Sequence, residues 1–455
     1  MNYKISVTIL FICLCLVIPP ELPAVSNSNV ESFAKYDKDI SNVMYDVYEN
    51  ISTGYRQLNT IEELYKITRK EVINNRQFQA ACFIHKNINL ITSNIEYTNI
   101  PYFINIILHN KNEKLAQKVL EGIKTNGDKL LLSNIKFIFA KYYFKNREFK
   151  TASKYISGII PDLDKHNSHL AMIMQGIILQ SKKRHRQAVD SFKAVSAKSP
   201  LYKYAQLNIA ISYIRQGWWS DAHKIITSNL RLKKKEEVNS EFINRLYLML
   251  GYSYLQQEYY RESRESFRNI TKKSIYANSA LLGIALTATN QNDNPGALSI
   301  LSHMTNGGNQ LFFEENYLLL PYIYERLEQY KTAEAAYYFS LDYYTKRLSS
   351  LTTQLSKFKE NRINNSLTNN VFNNNTSHAI INILENRIRF LNSITNYISD
   401  KPLTKRVNSL ISANSGILLQ LKREKLNHKI KVIKSYISQT RYNIARVYDN
   451  SNNAK

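Results

Sequence analysis

Apolar residues follow two kinds of pattern along the chain. One is a single unbroken run, Ile5 to Ile18 (ISVTILFICLCLVI), preceded by Lys4 and followed by Pro19-Pro20 and a polar tract near Ser26. The other fills most of the remaining chain: apolar residues return every three or four positions, in stretches joined by short polar turns, which is the period of an α-helix with one buried face. Ile61, Leu64, Tyr65 and Ile67, then Phe83, Ile84, Ile88, Leu90 and Ile91, mark such faces early in the chain. From about Leu130 to Tyr344 the helical stretches come in pairs. The pattern predicts an all-α protein.

Within the pairs, small residues recur at a nearly fixed interval: Ala152, Ala188 and Ala222 stand 36 and 34 residues apart (188 − 152 and 222 − 188). The clearest unit, LAMIMQGIILQSKKRHRQAVDSFKAVSAKSP, has Gly176 in its first helix, Ala188 and Phe192 in its second and Pro200 at the exit. The next supplies Ala210, Tyr213, Gly217 and Ala222, and the one after it Tyr247, Leu250, Gly251, Tyr254, Ser263 and Phe267. Two later units carry Leu282-Gly283 with Ala297, and Tyr317, Leu320, Tyr324, Ala333 and Tyr337 with Pro321 where a glycine is expected. Phe139, Ala140, Tyr143 and Ala152 mark a sixth, and Ala116 a degenerate seventh. This arrangement of G, A-x-x-x-F and P elements at a period of about 34 residues resembles the tetratricopeptide (TPR) superfamily, in which small residues let two helices approach while aromatics and Leu fill the groove between neighbours. The resemblance, which extends to exported TPR proteins of Gram-negative bacteria, implies an α-solenoid of TPR-like helical hairpins with a concave face lined by first helices.

These patterns divide the chain into a signal peptide (1–26), a helical cap or degenerate repeats (27–129), a repeat array (130–345), an Asn-rich linker (346–377) and C-terminal amphipathic helices (378–455). The helices between residues 27 and 100 show no convincing repeat. The extra residues Arg231 to Glu236 lengthen one connection between repeats. The last segment reads as a helical hairpin on the array or a short coiled coil, with a seam of Leu403, Val407, Leu410, Leu418, Leu421, Leu426, Val432, Tyr436 and Ile444 that drifts between Glu424 and Lys431.

Composition sharpens this picture. Only 12 Gly and 9 Pro in 455 residues leave too few tight-turn residues for a many-stranded sheet. One positive charge, the apolar run, a helix-breaking pair and small residues at Ala24 and Ser26 form a secretory leader cut near Ser26. The run falls short of the roughly 20 residues of a bilayer span, which favours cleavage over an uncleaved inner-membrane anchor. The expected location is therefore the periplasm or beyond. Of three Cys, Cys13 and Cys15 lie in the leader and Cys82 alone in the mature chain, so packing and not an internal disulfide must stabilise the fold. The net charge of +25 survives leader removal, because Lys4 and Glu21 cancel. Export makes nucleic acid an unlikely partner and points the charge at an acidic protein or an anionic envelope surface.

Candidate chemistry adds little. The motifs of serine hydrolases, zinc proteases, nucleotide-binding loops and dithiol redox sites are absent, so no enzymatic activity and no cofactor are expected. The densest polar cluster, Asp162, Asp164, His166 and His169, falls in a turn marked by Pro161 and Asn167 and reads as solvated turn residues, not a metal site. On the expected concave face, Lys141, Lys145, Arg215, Arg245, Tyr252, Tyr322 and Arg326 are placed for partner binding, with Trp218 beside the Trp219 turn aromatic. The reading is a non-catalytic scaffold or adaptor for a protein or peptide partner; the alternative is an accessory protein that binds envelope polysaccharide or peptidoglycan.

Overall fold

A computed structural model describes residues 27–232, 240–306, 314–359 and 375–453. Among the described residues there are twenty α-helices, one short 3-10 turn and no strand. Helix α1 (Asn27–Ser52) is followed by a first hairpin, α2 (Ile61–Ile73) and α3 (Gln77–Lys86), and by the short α4 (Ile88–Ser93). Seven more hairpins come next: α5/α6 (Ile100–His109, Glu113–Asn126), α7/α8 (Lys129–Lys145, Phe149–Ile156), α9/α10 (Lys165–Ser181, His185–Lys193), α11/α12 (Tyr202–Arg215, Trp219–Leu232), α13/α14 (Ser240–Gln256, Tyr260–Arg268), α15/α16 (Ala277–Asn290, Asn294–Asn306) and α17/α18 (Asn316–Arg326, Tyr330–Lys359). Helices α19 (Asn375–Thr395) and α20 (Lys401–Asn453) close the chain. The expected leader lies outside the described residues.

One turn builds all eight hairpins. Two residues past the end of each first helix stands a residue with φ between 59° and 73°: Asn75, Lys111, Arg147, Lys183, Gly217, Glu258, Asn292 and Glu328, at intervals of 36, 36, 36, 34, 41, 34 and 36 residues. Seven of these are not glycine, although the left-handed region costs an ordinary residue about 1–2 kcal/mol. Hydrogen bonding offsets that cost, because the turn satisfies carbonyls that a helix end leaves open. At Lys183, for example, its N–H donates to the Gln180 carbonyl at 3.0 Å and the Arg184 N–H to the Leu179 carbonyl at 2.9 Å. The same pair of bonds recurs at Asn75, Lys111, Arg147, Gly217, Glu258, Asn292 and Glu328. The interval of 41 contains the extra residues expected near Arg231 to Glu236.

Counted from this residue, the side chains fall into register. Five positions on stands Ala80, Ala116, Ala152, Ala188, Ala222, Ser263, Ala297 or Ala333, each fully buried. Nine positions on stands a large buried side chain: Ile84, Leu120, Ile156, Phe192, Ile226, Phe267, Leu301 or Tyr337. A small residue where the helices of a hairpin touch, and bulk where hairpins stack, is the arrangement expected of a TPR-like repeat. One hairpin, α2/α3, thus falls inside the segment read from sequence as lacking a convincing repeat, and α5/α6 is the degenerate seventh unit marked by Ala116. Their first helices hide the pattern by placing Thr68 and Ile104, both buried, where a glycine or alanine is expected.

Pro321 stands at that small position in α17. Proline has no N–H for the carbonyl four residues back. The freed Tyr317 carbonyl accepts instead from the buried Ser340 hydroxyl of α18, which lets the helix continue through the proline.

The chain forms two compact units. The N-terminal unit takes in the described residues of Glu21–Ser212 with Ala379–Leu418, and the C-terminal unit those of Tyr213–His378 with Leu419–Lys455. In the N-terminal unit, α1 packs on α3 and α6, and the Tyr48 hydroxyl donates to the Asn110 carbonyl at 3.0 Å. The end of α19 and the start of α20 add Leu391, Ile394, Leu403, Val407 and Leu410 to the same core. Tyr397 lies 5.3 Å from the Phe78 ring, and Arg406 pairs with Asp46 at 2.7 Å. In the C-terminal unit, residues 419–447 of α20 pack against α17 and α18. The linker expected from residue 346 is helical as far as Lys359, because Leu348, Leu351 and Leu355 extend the apolar face of α18 against Leu426, Ile430 and Ile433.

Candidate functional site: the end face of the last hairpin

Stacking of one hairpin on the next sets the template for the site. Where α15 follows α13/α14, the Tyr252 hydroxyl donates to the Ser279 carbonyl at 2.7 Å, Ser263 and Thr287 hydroxyls meet at 3.2 Å, and the Phe267 ring presses on Gly283. Phe267 also covers Gly251, and a Cβ at either glycine would fall inside its ring. The following first helix therefore runs antiparallel to the second helix it covers, since 263 pairs with 287 and 267 with 283.

After α17/α18 that place is taken by α20. Tyr436 lies 5.4 Å ring to ring from Tyr344, while Val447 packs with Ala333 and Tyr337, so α20 runs antiparallel to α18 as α15 does to α14. Relative to α17 it runs parallel and in register. The Tyr436 hydroxyl donates to Glu315 at 3.0 Å, and Arg446, ten residues on, meets Glu325, ten residues beyond Glu315. The Arg446 guanidinium donates to both carboxylate oxygens, at 2.9 and 2.6 Å. A planar fork on a carboxylate fixes direction as well as distance. Burial raises the Glu315 carboxyl, and the hydrogen bonds from its own backbone and from Tyr436 oppose that shift.

The sequence-predicted positions fall in several hairpins, Lys141 and Lys145 in the N-terminal unit and the others in the C-terminal unit. Lys141, Tyr252 and Tyr322 stand six residues before the left-handed turn residue, and Lys145, Arg215 and Arg326 two before it. Lys145 is exposed, while Arg215, Arg245 and Tyr322 are half-buried. Lys141 is half-buried over the Phe137 ring at 4.9 Å, and burial lowers its pKa against an opposing pull from Asp164. Trp218 is half-buried against Tyr213, with ring centroids 5.7 Å apart, and Trp219 is also half-buried. The exposed Arg326 guanidinium donates to the Asn292 side chain in the preceding turn. Tyr252 is a correction: it is 1 % exposed, its hydroxyl spent on Ser279 and its ring edge-on to Phe267 at 4.8 Å, so it is a core residue and no partner can reach it. Sequence reasoning missed Glu315, Glu325 and Arg446.

The polar clusters have structural duties. Asp162 accepts from Ser133 at 3.0 Å and pairs with Lys129 at 2.7 Å, bonds that hold its carboxyl below the usual range. Asp164 caps α9, accepting from the His166 and Asn167 N–H groups at 2.9 and 3.1 Å. Among the described residues no three His, Cys, Asp or Glu side chains gather as metal ligands. A Ser–His pair does occur, with His223 Nε2 2.7 Å from Ser253 Oγ. Ser253 is buried and donates its proton to the Leu250 carbonyl at 3.0 Å. The Gln257 amide approaches the same imidazole nitrogen at 3.4 Å, and the tautomer of His223 sets the direction of the Ser–His bond.

No family model matches the chain, and no curated protein does. Among solved structures it is similar to the apo quorum sensor NprR from B. thuringiensis, with 12% identity and a TM-score of 0.35 over 70% of this chain and 99% of that one. It is also similar to the structure of Naa15/Naa10 bound to HypK-THB, with 10% identity and a TM-score of 0.40 over 85% of this chain and 63% of that one. A third likeness is to the anaphase-promoting complex hetero-tetramer Cut9–Hcn1, with 13% identity and a TM-score of 0.31 over 88% and 72%.

Proposed function

We propose that this protein is a non-catalytic scaffold of the periplasm or cell envelope that binds segments of other proteins on its helical hairpins. One observation carries the reading: the end face of the last hairpin already receives a helical segment, through an apolar strip and the Tyr436–Glu315 and Arg446–Glu325 pairs. The export signal read at residues 1–26 supports the compartment. Crosslinking in the intact envelope, followed by identification of the captured proteins, tests the proposal. Specific protein partners are expected. Retention on purified envelope polymer with no protein captured would replace it with the polymer-binding alternative. Charge reversal at Arg215 and Arg245 is expected to weaken the captured complex, and unchanged capture would remove those two positions from the binding surface. The mature N-terminus, read by sequencing the envelope-localised protein, is expected near Ser26.

A further inference from the structure

Permanent cores are apolar, yet the face that receives the end of α20 is not. Glu315 is drawn into the interface by Tyr436, and Glu325 is bridged twice by Arg446, beside the apolar contacts of Leu318, Tyr337 and Tyr344. Exchangeable interfaces combine an apolar centre with charge-assisted pairs that set register, whereas permanent ones resemble a core cut in half. By contrast, the ion pair at the start of α20, Arg406 with Asp46, is exposed on both sides, and the apolar side chains that the end of α19 and the start of α20 bury in the N-terminal core, Leu391, Ile394, Ile398, Leu403, Val407 and Leu410, are all aliphatic. The occupant is itself distinctive. Residues 419–453 carry Lys422, Arg423, Lys425, Lys429, Lys431, Lys434, Arg441 and Arg446 against Glu424 and Asp449, eight cations against two anions.

We propose that the face formed by Glu315, Leu318, Glu325, Tyr337 and Tyr344 is a docking site for a basic amphipathic helix of a partner protein, and that residues 419–453 fill it in cis as an exchangeable cap. This rests on the scaffold reading, and it adds the chemistry of the partner and its regulation. A competing helix must present aliphatic residues along one stripe, a hydroxyl-bearing aromatic for Glu315 and an Arg ten residues on for Glu325.

The test uses the full chain and a fluorescent peptide of residues 419–453 as the helix in trans. The wild-type chain, closed in cis, is expected to bind the peptide weakly. Arg446→Glu sets like charges against each other in cis while leaving Glu325 intact for the peptide's own arginine, and it is expected to raise peptide affinity at least about tenfold. Glu325→Arg combined with Arg446→Glu restores an opposite pair in cis and is expected to return binding to the wild-type level. Equal affinity of the folded Arg446→Glu and wild-type chains would overturn the proposal. So would loss of the cooperative unfolding transition in Arg446→Glu, since the helix would then be an integral part of the fold. Arg446→Glu chains that pair with one another in sedimentation would reassign the face to a second copy and overturn the partner proposal. Because the peptide reports on the face itself, failure to capture a cellular protein would count against the scaffold reading and not against this site.

Discussion

Hairpins α9/α10 and α13/α14 concentrate their bulk on one helix, whereas hairpins α2/α3 and α5/α6 divide it between the two. In the first group the second helix supplies a ring, Phe192 or Phe267, and the first helix gives way with Gly176 or Gly251. In the second group the first helix carries Thr68 or Ile104, and the second supplies only Ile84 or Leu120. Interiors are packed close to crystalline density, so volume added on one side must be removed from the other. What the hairpins share is a filled groove, plus the small residue five positions after the turn, where backbones approach.

The largest effect that separates the two groups is expected from Phe267→Ala. One ring spans Gly251 and Gly283, and glycine neighbours have no side chains with which to refill the hole. A loss of about 3–5 kcal/mol is expected in urea unfolding followed by Trp218 and Trp219 fluorescence, since both tryptophans belong to the C-terminal unit. A loss under about 1 kcal/mol would show that the groove collapses and that volume matching is not what holds it.

Next in size is a pH effect carried by an imidazole buried in the early hairpins. His85 of α3 lies 3.1 Å from the Asn112 amide and beside the Tyr45 ring, and burial, with Lys118 adding to it, lowers its pKa to about 4. An unfolded histidine titrates near 6.5. Between those values the unfolded chain holds a proton that the folded chain does not. The N-terminal unit is therefore expected to lose roughly 2–3 kcal/mol as pH falls from about 6.5 to 4, with no further loss from this residue below that window. His85→Gln is expected to flatten that slope in denaturant titrations followed by circular dichroism, and an unaltered slope would reject the assignment.

A smaller effect tests the compensation directly. Gly176→Ala is expected to cost about 1–3 kcal/mol and Phe192→Leu to recover most of it in the double variant, giving a coupling above about 1 kcal/mol. Additive effects would mean that the glycine and the ring do not share the same space. Least of all, Glu258→Gly is expected to change stability by no more than about 1 kcal/mol in either direction, because relief at φ 65° is set against the entropy of a freer unfolded chain.

The same compensation explains what the sequence disclosed. Hairpins with a glycine and a ring announce themselves, because both residue types stand out; Thr68 with Ile84 looks like any helical face. Ala80 and Ala116 lay on the 36-residue interval throughout, so the register was present and only its chemistry was plain. The seam of the last helix serves two cores, with Leu403, Val407 and Leu410 in one and Leu419, Leu426 and Ile430 in the other. The end face was illegible for another reason. Glu315 and Glu325 have meaning only beside Tyr436 and Arg446, more than a hundred positions along the chain, and local periodicity carries no such information.

The buried Cys82 has a use unrelated to binding. Its thiol, pushed up to about 12 by burial against a lowering hydrogen bond from Tyr55, is inert in the folded N-terminal unit. A thiol becomes reactive when it is exposed and can ionise. In a chain with Cys13 and Cys15 replaced by Ser, the labelling rate of Cys82 would thus time the opening of the early hairpins, while tryptophan emission watches the later ones. The protein comes supplied with a separate clock for each of its units.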